Sequence, residues 1–317
     1  MSNIVMTTEC NRNCPYCFAS NSVKNHMVFQ KTNFKKAIDW IAEDNTGLVS
    51  RIGIIGGEPT KHPRFAEFLG YVLSKKLNTI VFTNGMLSDS IIFSIVDTAV
   101  ENKVSHSNQL SFCINLNEPK FSSDSESRLQ GKFLSILGKV TSVSFNIYRN
   151  NFDPYFIIDT IQKYNMVRNI RLGLAMPLGN KNKYLPPNSY VEVAERIVEF
   201  LKVASDNGIT TDFDCGFVKC MFSEQQLESL YNSSVKTLSF DCGPSIDIYP
   251  NLEATGCYPL AHALRENISN FKSYRELHKY WQKEISLMSP TYEKCASCMD
   301  YTYNRCHGGC KAHNING

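Results

Sequence analysis

The chain has 317 residues, 43% of them hydrophobic, so it can bury a sizeable core as one large domain or as one domain with an appendage. A formal net charge of +3 gives no electrostatic case for nucleic acid or a membrane surface as a partner. There is no charged-then-apolar leader and no apolar run long enough to span a bilayer, and the twelve cysteines fall in groups that suit metal rather than a secreted disulfide framework, so a cytoplasmic, reducing location is expected.

Strands and helices alternate along the chain. Asn3–Thr7 is a β-rich run that delivers Cys10 just beyond its carboxyl end. Thr32 or Asn33 caps a helix whose Phe34, Ala37, Ile38, Ile41 and Ala42 recur at helical spacing. Arg51–Ile55 is the second strand, and His62-Pro63 opens a helix with Phe65, Leu69 and Val72 on one face. The third strand is Thr79–Thr83, after which Ser88 caps a helix carrying Ile92, Ile95, Val96 and Ala99. Leu110–Leu116 is the fourth, followed by a helix from about Ser127 to Leu137 with Gly138 as its stop. Val143–Tyr148 and Ile170–Ala175 complete six strands, and a long helix from about Ser189 to Ser205 ends at Asn207-Gly208. Six βα units imply an α/β fold with a parallel sheet and helices outside it. Periodicity alone leaves an open doubly wound sheet and a curved partial barrel equally possible. In both, ligand groups gather at the carboxyl ends of strands, where the glycine and polar clusters of this chain fall.

The first such cluster is Cys10, Cys14 and Cys17, three thiols at CxxxCxxC spacing on one loop. Sulfur-only ligation favours iron–sulfur or zinc over harder metals. A structural zinc wants four ligands, so zinc here needs a fourth from elsewhere. Three thiolates suffice for a four-iron cluster with one iron left open. With Tyr16 beside the last cysteine, the stretch resembles the cluster loop of the radical S-adenosylmethionine (SAM) superfamily. That resemblance implies a partial (β/α)6 barrel and a [4Fe–4S] cluster whose open iron is chelated by SAM. It also implies reductive cleavage of SAM to a 5′-deoxyadenosyl radical that abstracts hydrogen from a substrate.

Gly56-Gly57-Glu58-Pro59 matches the family's GGEP segment and is expected to line the methionyl amino group of SAM, with Glu58 in contact. Paired glycines allow close backbone approach, and a carboxylate accepts from an ammonium. Read alone, the segment is an ordinary strand-to-helix turn. Thr83-Asn84-Gly85 resembles the family's TNG turn, and also reads simply as a tight turn. The fourth strand ends in Asn115-Leu116-Asn117-Glu118-Pro119, where many relatives carry a Ser-Leu-Asp-Gly-type run. Asn115 keeps the hydrogen-bonding capacity, and Glu118 stands beside the position that lacks a carboxylate. Asn146 and Arg149 are candidates for the carboxylate and ribose of SAM. Cys113, within a strand, reads as a buried inert thiol.

The domain division expected is 1–208 for the barrel and 209–317 for a cysteine-rich unit. In the latter, Thr211–Cys215 is a short strand, Ser223 and Ser273 open capping boxes, and a hairpin brings Cys242 and Cys257 together. Cys295, Cys298, Cys306 and Cys310 follow as CxxC and CxxxC, a pattern that alone also reads as a zinc knuckle. With the hairpin cysteines upstream, the whole resembles a SPASM-type extension with auxiliary iron–sulfur clusters. By that resemblance Cys242, Cys257 and Cys310 serve a nearer [4Fe–4S] cluster and Cys295, Cys298 and Cys306 a farther one, each short of one thiolate. Cys215 or Cys220 for the nearer, and His307 or His313 for the farther, are the candidates to fill the sets. A twitch-type alternative uses Cys242, Cys257, Cys295 and Cys298 for a single cluster. Cys215 and Cys220 keep a second possible role, as thiol hydrogen donors in catalysis.

The resemblance implies an oxidoreductase that modifies a peptide or protein side chain, with a small-molecule substrate as the alternative. An external flavodoxin- or ferredoxin-type reductase would be the electron donor. Strand one opens the sequence, an arrangement expected to lack an appended leader-peptide domain, which lowers the peptide reading without removing it. A non-enzymatic iron–sulfur or zinc module is the reading of another class, disfavoured by the paired SAM-binding signatures.

Overall fold

Strand order separates the two architectures that periodicity leaves open. In a computed structural model of the chain, which describes residues 2–19, 26–44, 47–49, 51–178, 181–233 and 235–316, the first six strands lie side by side in sequence order. They are β1 (Ser2–Val5), β2 (Ile52–Ile55), β3 (Thr79–Thr83), β4 (Leu110–Asn115), β5 (Thr141–Ile147) and β6 (Asn169–Leu174), every neighbouring pair parallel. A doubly wound sheet reverses direction at a switch point, whereas unbroken sequential order is the winding of a barrel wall. The fold is therefore the expected α/β one, with helices α1 (Lys31–Ala42), α2 (Phe65–Ser74), α3 (Asp89–Glu101), α4 (Asp124–Leu137), α5 (Phe156–Lys163) and α6 (Tyr190–Asp206) as crossovers.

Alternation along the strands sorts the side chains into two layers. Ile4, Ile52, Ile54, Val81, Phe112, Ile114, Val143, Phe145, Ile170 and Leu172 are buried in one core with Phe34, Ile38, Phe68, Leu69, Ile95, Phe133, Ile157 and Ile197 of the helices. On the other face polar residues such as Asn3, Ser144, Asn146 and Arg171 stand among Val5, Ile55, Ile80 and Phe82. There a Cβ on Gly53 would meet Asn3 and Phe82, and one on Gly173 would meet Asn146 and Asp214. The Arg171 guanidinium lies over the Phe82 ring at 5.2 Å and pairs with Asp214 at 2.7 Å.

Residues beyond 208 extend the same sheet at both edges. Strands β7 (Thr210–Phe213) and β8 (Val235–Thr237) continue in parallel beyond β6. At the opposite edge β9 (Ile246–Ile248) pairs in parallel with β1, and β10 (Glu253–Thr255) and β11 (Glu266–Asn267) follow antiparallel. The β9–β10 hairpin is the one expected from the sequence. Asn3 ties the new edge in place, donating to Asp247 at 2.6 Å and to Ser245 at 2.9 Å. Helices α7 (Glu224–Tyr231) and α8 (Tyr274–Ser286) and short turns Met299–Thr302 and Ala312–Asn316 cover the C-terminal part. No helix among the described residues is long and apolar enough to cross a membrane.

Helix starts differ from the sequence expectation where capping chemistry competes with other partners. Helix α4 begins at Asp124 rather than near Ser127, because Ser123 and Glu126 form a full capping box. Neither Thr32 nor Asn33 caps α1, which starts at Lys31; the Asn33 amide instead donates to the carbonyl of Pro250. Ser223 caps α7 with Gln226 as expected, whereas Ser273 makes only half a box because Glu276 accepts from Lys272.

Candidate functional site

Strand β1 feeds straight into the first cysteine loop. Past Met6 the backbone is held against the end of β2, where Gly57 N–H donates to Thr7 O at 2.9 Å and Glu58 N–H to Glu9 O at 2.7 Å. This contact explains the two glycines. A Cβ on Gly56 would lie 2.4 Å from Thr7 O, and one on Gly57 2.3 Å from Glu9 O, both impossible separations. Cys10, Cys14 and Cys17 are all half-buried. Burial is the main cause that raises each thiol, Cys17 to about 11, and Cys14 adds to the rise of both Cys10 and Cys17. Three half-buried soft donors on one loop are a set that a bound cation would stabilise as thiolates, inverting those shifts. The donor set thus fits a cluster. Arg12, almost wholly buried, fastens the loop to the next strands through Glu126 at 3.1 Å and the carbonyl of Asn115 at 3.0 Å. The loop after β6 grips its other side, Lys183 N–H donating to Pro15 O and the Asn182 amide to Tyr16 O.

Glu58 is buried, and its carboxylate is fully engaged inside the chain. One oxygen accepts from Thr60 N–H at 3.2 Å, the Thr60 hydroxyl at 2.7 Å and the Thr83 hydroxyl at 2.8 Å, and the other from Asn84 N–H at 2.7 Å. Burial raises its pKa, opposed by these donors. The carboxylate therefore joins the end of β2 to the end of β3, and Pro59 begins the short helical turn beneath it. Asn84 in turn donates to Asn11 at 2.7 Å, with Cys10 Sγ at 4.0 Å, and its carbonyl accepts from Gln130. The Asn84 amide is thus also held inside the chain, its oxygen accepting from Met86 N–H at 2.9 Å.

A second network lines the ends of β4 and β5. Asn146 donates to Asn115 at 3.0 Å, Asn115 to the Tyr16 hydroxyl at 2.8 Å, and Tyr16 to Asn117 at 2.6 Å, with the Tyr16 ring 5.0 Å from that of Tyr148. Arg149 pairs with Glu118 and lies over Phe121 at 4.5 Å. Its guanidinium and the Glu118 carboxylate are thus partners of each other. Cys113 is buried, as expected of an inert thiol.

The C-terminal thiols fall into two sets of four. The Cys257 thiol is raised well above its usual value, first by burial and then by Cys310, Cys215 and Cys242. Burial followed by Cys242 pushes Cys310 up to about 12. Cys215 exposes surface to solvent, yet burial is the largest cause of its own upward shift, followed by Asp214, Cys310 and Cys242. In the second set Cys295 is raised by burial and then by Cys220, Cys306 and Cys298. No three His, Cys, Asp or Glu side chains among the described residues converge as the ligands of a single metal ion.

Each of the two histidines has a ring nitrogen engaged by a partner outside the second set. His307 Nδ1 accepts from Cys242 N–H at 3.0 Å, and His313 Nε2 meets the Tyr190 hydroxyl at 3.0 Å with its pKa lowered to about 4 by burial. Lys311, buried between the sets, donates to the His307 carbonyl at 2.9 Å; burial lowers its pKa while Cys242, Cys295, Cys306 and Cys310 oppose the shift. Sequence reasoning missed Arg12, Lys311 and the Arg171–Asp214 pair. A charged residue amid the apolar Ile170–Leu174 strand was the available signal for Arg171.

Comparison with known proteins follows the same lines. Residues 4–108 match the model of the radical SAM superfamily. A curated relative, the S-adenosylmethionine-dependent nucleotide dehydratase of Selenomonas ruminantium, is 34% identical over 85 residues, a match spanning 27% of this chain and 30% of that protein. Among solved structures, Streptococcus suis SuiB bound to S-adenosylmethionine superposes with a TM-score of 0.65 at 14% identity, over 99% of this chain and 73% of SuiB. SuiB bound to its precursor peptide SuiA gives 0.67 at 15% identity, over 99% and 72%. These likenesses carry the fold along nearly the whole chain.

Proposed function

We propose that this chain, whose residues 4–108 match the radical SAM superfamily, is a radical SAM enzyme with two auxiliary [4Fe–4S] clusters that modifies a peptide or protein side chain. The observation that carries the proposal is the sorting of the C-terminal cysteines into two sets beside a barrel whose first loop bears three more. Cys10, Cys14 and Cys17 would hold the SAM-binding cluster. Cys242, Cys257 and Cys310 would hold the nearer auxiliary cluster, with Cys215 joining them, and Cys295, Cys298 and Cys306 the farther one. When bound, the first cluster and SAM supply a 5′-deoxyadenosyl radical that abstracts hydrogen, and the auxiliary clusters supply an acceptor for the electron left on the substrate.

The chain's own residues orient the reactants. Gly56 and Gly57 let the backbone approach the methionyl end of SAM, and Glu58 acts from behind by fixing Thr83 and Asn84. Tyr16, Asn115, Asn117 and Asn146 form a linked wall for the adenosyl part, and the Arg149–Glu118 pair closes its rim. Substrate enters from the open mouth of the barrel, over the face that carries Arg171 and Asp214. The electron comes from a flavodoxin- or ferredoxin-type donor. The peptide reading draws support from the fold shared with SuiB along the whole chain. A nucleotide or other small molecule is the second reading, favoured by the named relative and by the Arg171–Asp214 pair on the concave face.

Two results test this. Anaerobically reconstituted protein should bind about twelve irons, three four-iron clusters. Cys242→Ala should lose about four of them and keep uncoupled deoxyadenosine formation while product formation fails. A total of about eight in the unaltered chain would favour the single-cluster, twitch-type alternative. For the cosubstrate, Glu58→Gln places an NH2 against either Asn84 N–H or Thr60 N–H, leaving an unsatisfied buried donor that costs about 1–3 kcal/mol. SAM affinity should fall about tenfold or more with iron content intact, as measured by equilibrium binding. Unchanged affinity would remove Glu58 from the shaping of the site.

A further inference from the structure

We propose that the Cys220 thiolate is the fourth ligand of the farther auxiliary cluster, completing the set of Cys295, Cys298 and Cys306. The inference rests on the reading above that those three cysteines hold a cluster. It gives Cys220 a place in a metal site, in preference to a role as hydrogen donor to substrate.

The fold brings Cys220 there by three independent ties. After β7 the chain turns at Gly216, whose φ of +102° suits glycine alone, and Phe217 and Val218 then enter the core. Lys219–Met221 forms a single 3-10 turn in which Met221 is buried and Cys220 faces outward. Lys219 Nζ pairs with Asp300 Oδ1 at 2.8 Å, and the main-chain carbonyl of Asp300 accepts from Cys306 N–H at 3.1 Å. One residue therefore joins the turn bearing Cys220 to the loop between Cys298 and Cys306. Val218 supplies the second tie, packing so close to the Cys306–Cys310 loop that a Cβ on Gly309 would come within 3.1 Å of it. The third is Phe222, whose ring lies 6.3 Å from Phe240, and the Phe240 carbonyl accepts from His307 N–H at 2.9 Å.

The alternative donors are engaged elsewhere. His307 presents Nδ1 to the Cys242 backbone, and His313 lies against Tyr190 and Tyr184. Cys215, five residues upstream, belongs with Cys242, Cys257 and Cys310. A β7–α7 connection with two cysteines thus serves both sets, one thiol to each.

The test compares Cys220→Ala with Cys298→Ala and Cys215→Ala in anaerobically reconstituted full-length protein, by iron analysis and by electron paramagnetic resonance of the oxidised sample. Cys220→Ala should lose iron, either as a three-iron signal of about one equivalent or as about four irons of about twelve. The Cys220→Ala/Cys298→Ala double variant should lose no more iron than Cys298→Ala alone, while Cys220→Ala/Cys215→Ala should lose from both auxiliary clusters. Independently of any variant, alkylation of Cys220 read by mass spectrometry should be at least about tenfold slower in the loaded protein than after iron chelation. Full iron content and no three-iron signal in Cys220→Ala, alongside loss in Cys298→Ala, would overturn the ligand assignment and leave the farther cluster standing. Full iron content in Cys298→Ala as well would overturn both. Equal alkylation of Cys220 with and without iron would also remove it as a ligand.

Discussion

Replacing Cys10, Cys14 and Cys17 together with alanine abolishes 5′-deoxyadenosine formation by the anaerobic, reduced protein, a fall of about a thousandfold or more, which amounts to about 4 kcal/mol in the barrier. The size of the effect follows from where the chemistry resides, in groups the chain binds rather than in its side chains. The fold should survive the change. These cysteines are half-buried on a loop, whereas the strands and helices around it pack through Ile4, Met6, Phe29 and Ile54. The variant should accordingly keep about eight irons, those of the two C-terminal sets, and its circular dichroism. Undiminished SAM cleavage by this variant would end the radical SAM reading of the first loop.

A single methyl group should have an effect of similar reach. Gly57→Ala puts a Cβ 2.3 Å from Glu9 O and 2.7 Å from Thr8 O, both main-chain atoms that cannot rotate aside. Either the end of β2 or the cysteine loop must move. The hydrogen bonds Gly57 N–H to Thr7 O and Glu58 N–H to Glu9 O are lost or stretched with it. Overpacking of this kind costs about 1–3 kcal/mol of stability. The cost to function is larger, because a misplacement of about 1 Å can reduce turnover about a hundredfold. Deoxyadenosine yield should fall at least that far, with a melting temperature lower by a few degrees. Gly243→Ala is the control, since its Cβ meets nothing within 4 Å and its backbone is not in the left-handed region. Wild-type yield from Gly57→Ala would mean that this contact does not set the geometry of the site.

The alternating strands and helices were legible because each strand is short, β-branched and followed by a glycine or polar turn. Their winding was not legible in that pattern and came only from the family resemblance. Sequential and reversed strand orders demand the same hydrophobic pattern, and only pairing such as Ile54 with Val81 distinguishes them. The first cysteine loop and the GGEP corner could be read because their chemistry is local in sequence. Glu58 shows where locality fails. Its partners are Thr60 and, 25 and 26 positions on, Thr83 and Asn84, so the inward turn of its carboxylate depends on β3. Sequence reading offered Cys215 and Cys220 alike as partners of Cys310, and could not tell that Cys220 associates with Cys295 instead, for the same reason. Helix α1 marks a smaller limit, as Asn33 has the chemistry of a cap yet takes a distant carbonyl instead.

The position of β1 has a consequence for how the protein is made. Ribosomes add on the order of 5–20 residues per second, and Asn3 and its partner Asp247 are 244 positions apart, so β1 waits on the order of ten to fifty seconds for its second neighbour. During that interval one side of the nascent sheet is an open edge, while the first cysteine loop is held only from its other sides, by β2 and by residues 182–183. Late closure by β9 makes for slow, long-range assembly. It also leaves a period of synthesis in which the loop of Cys10, Cys14 and Cys17 is open, on the side where Tyr258 later meets Phe18, to whatever delivers iron and sulfide.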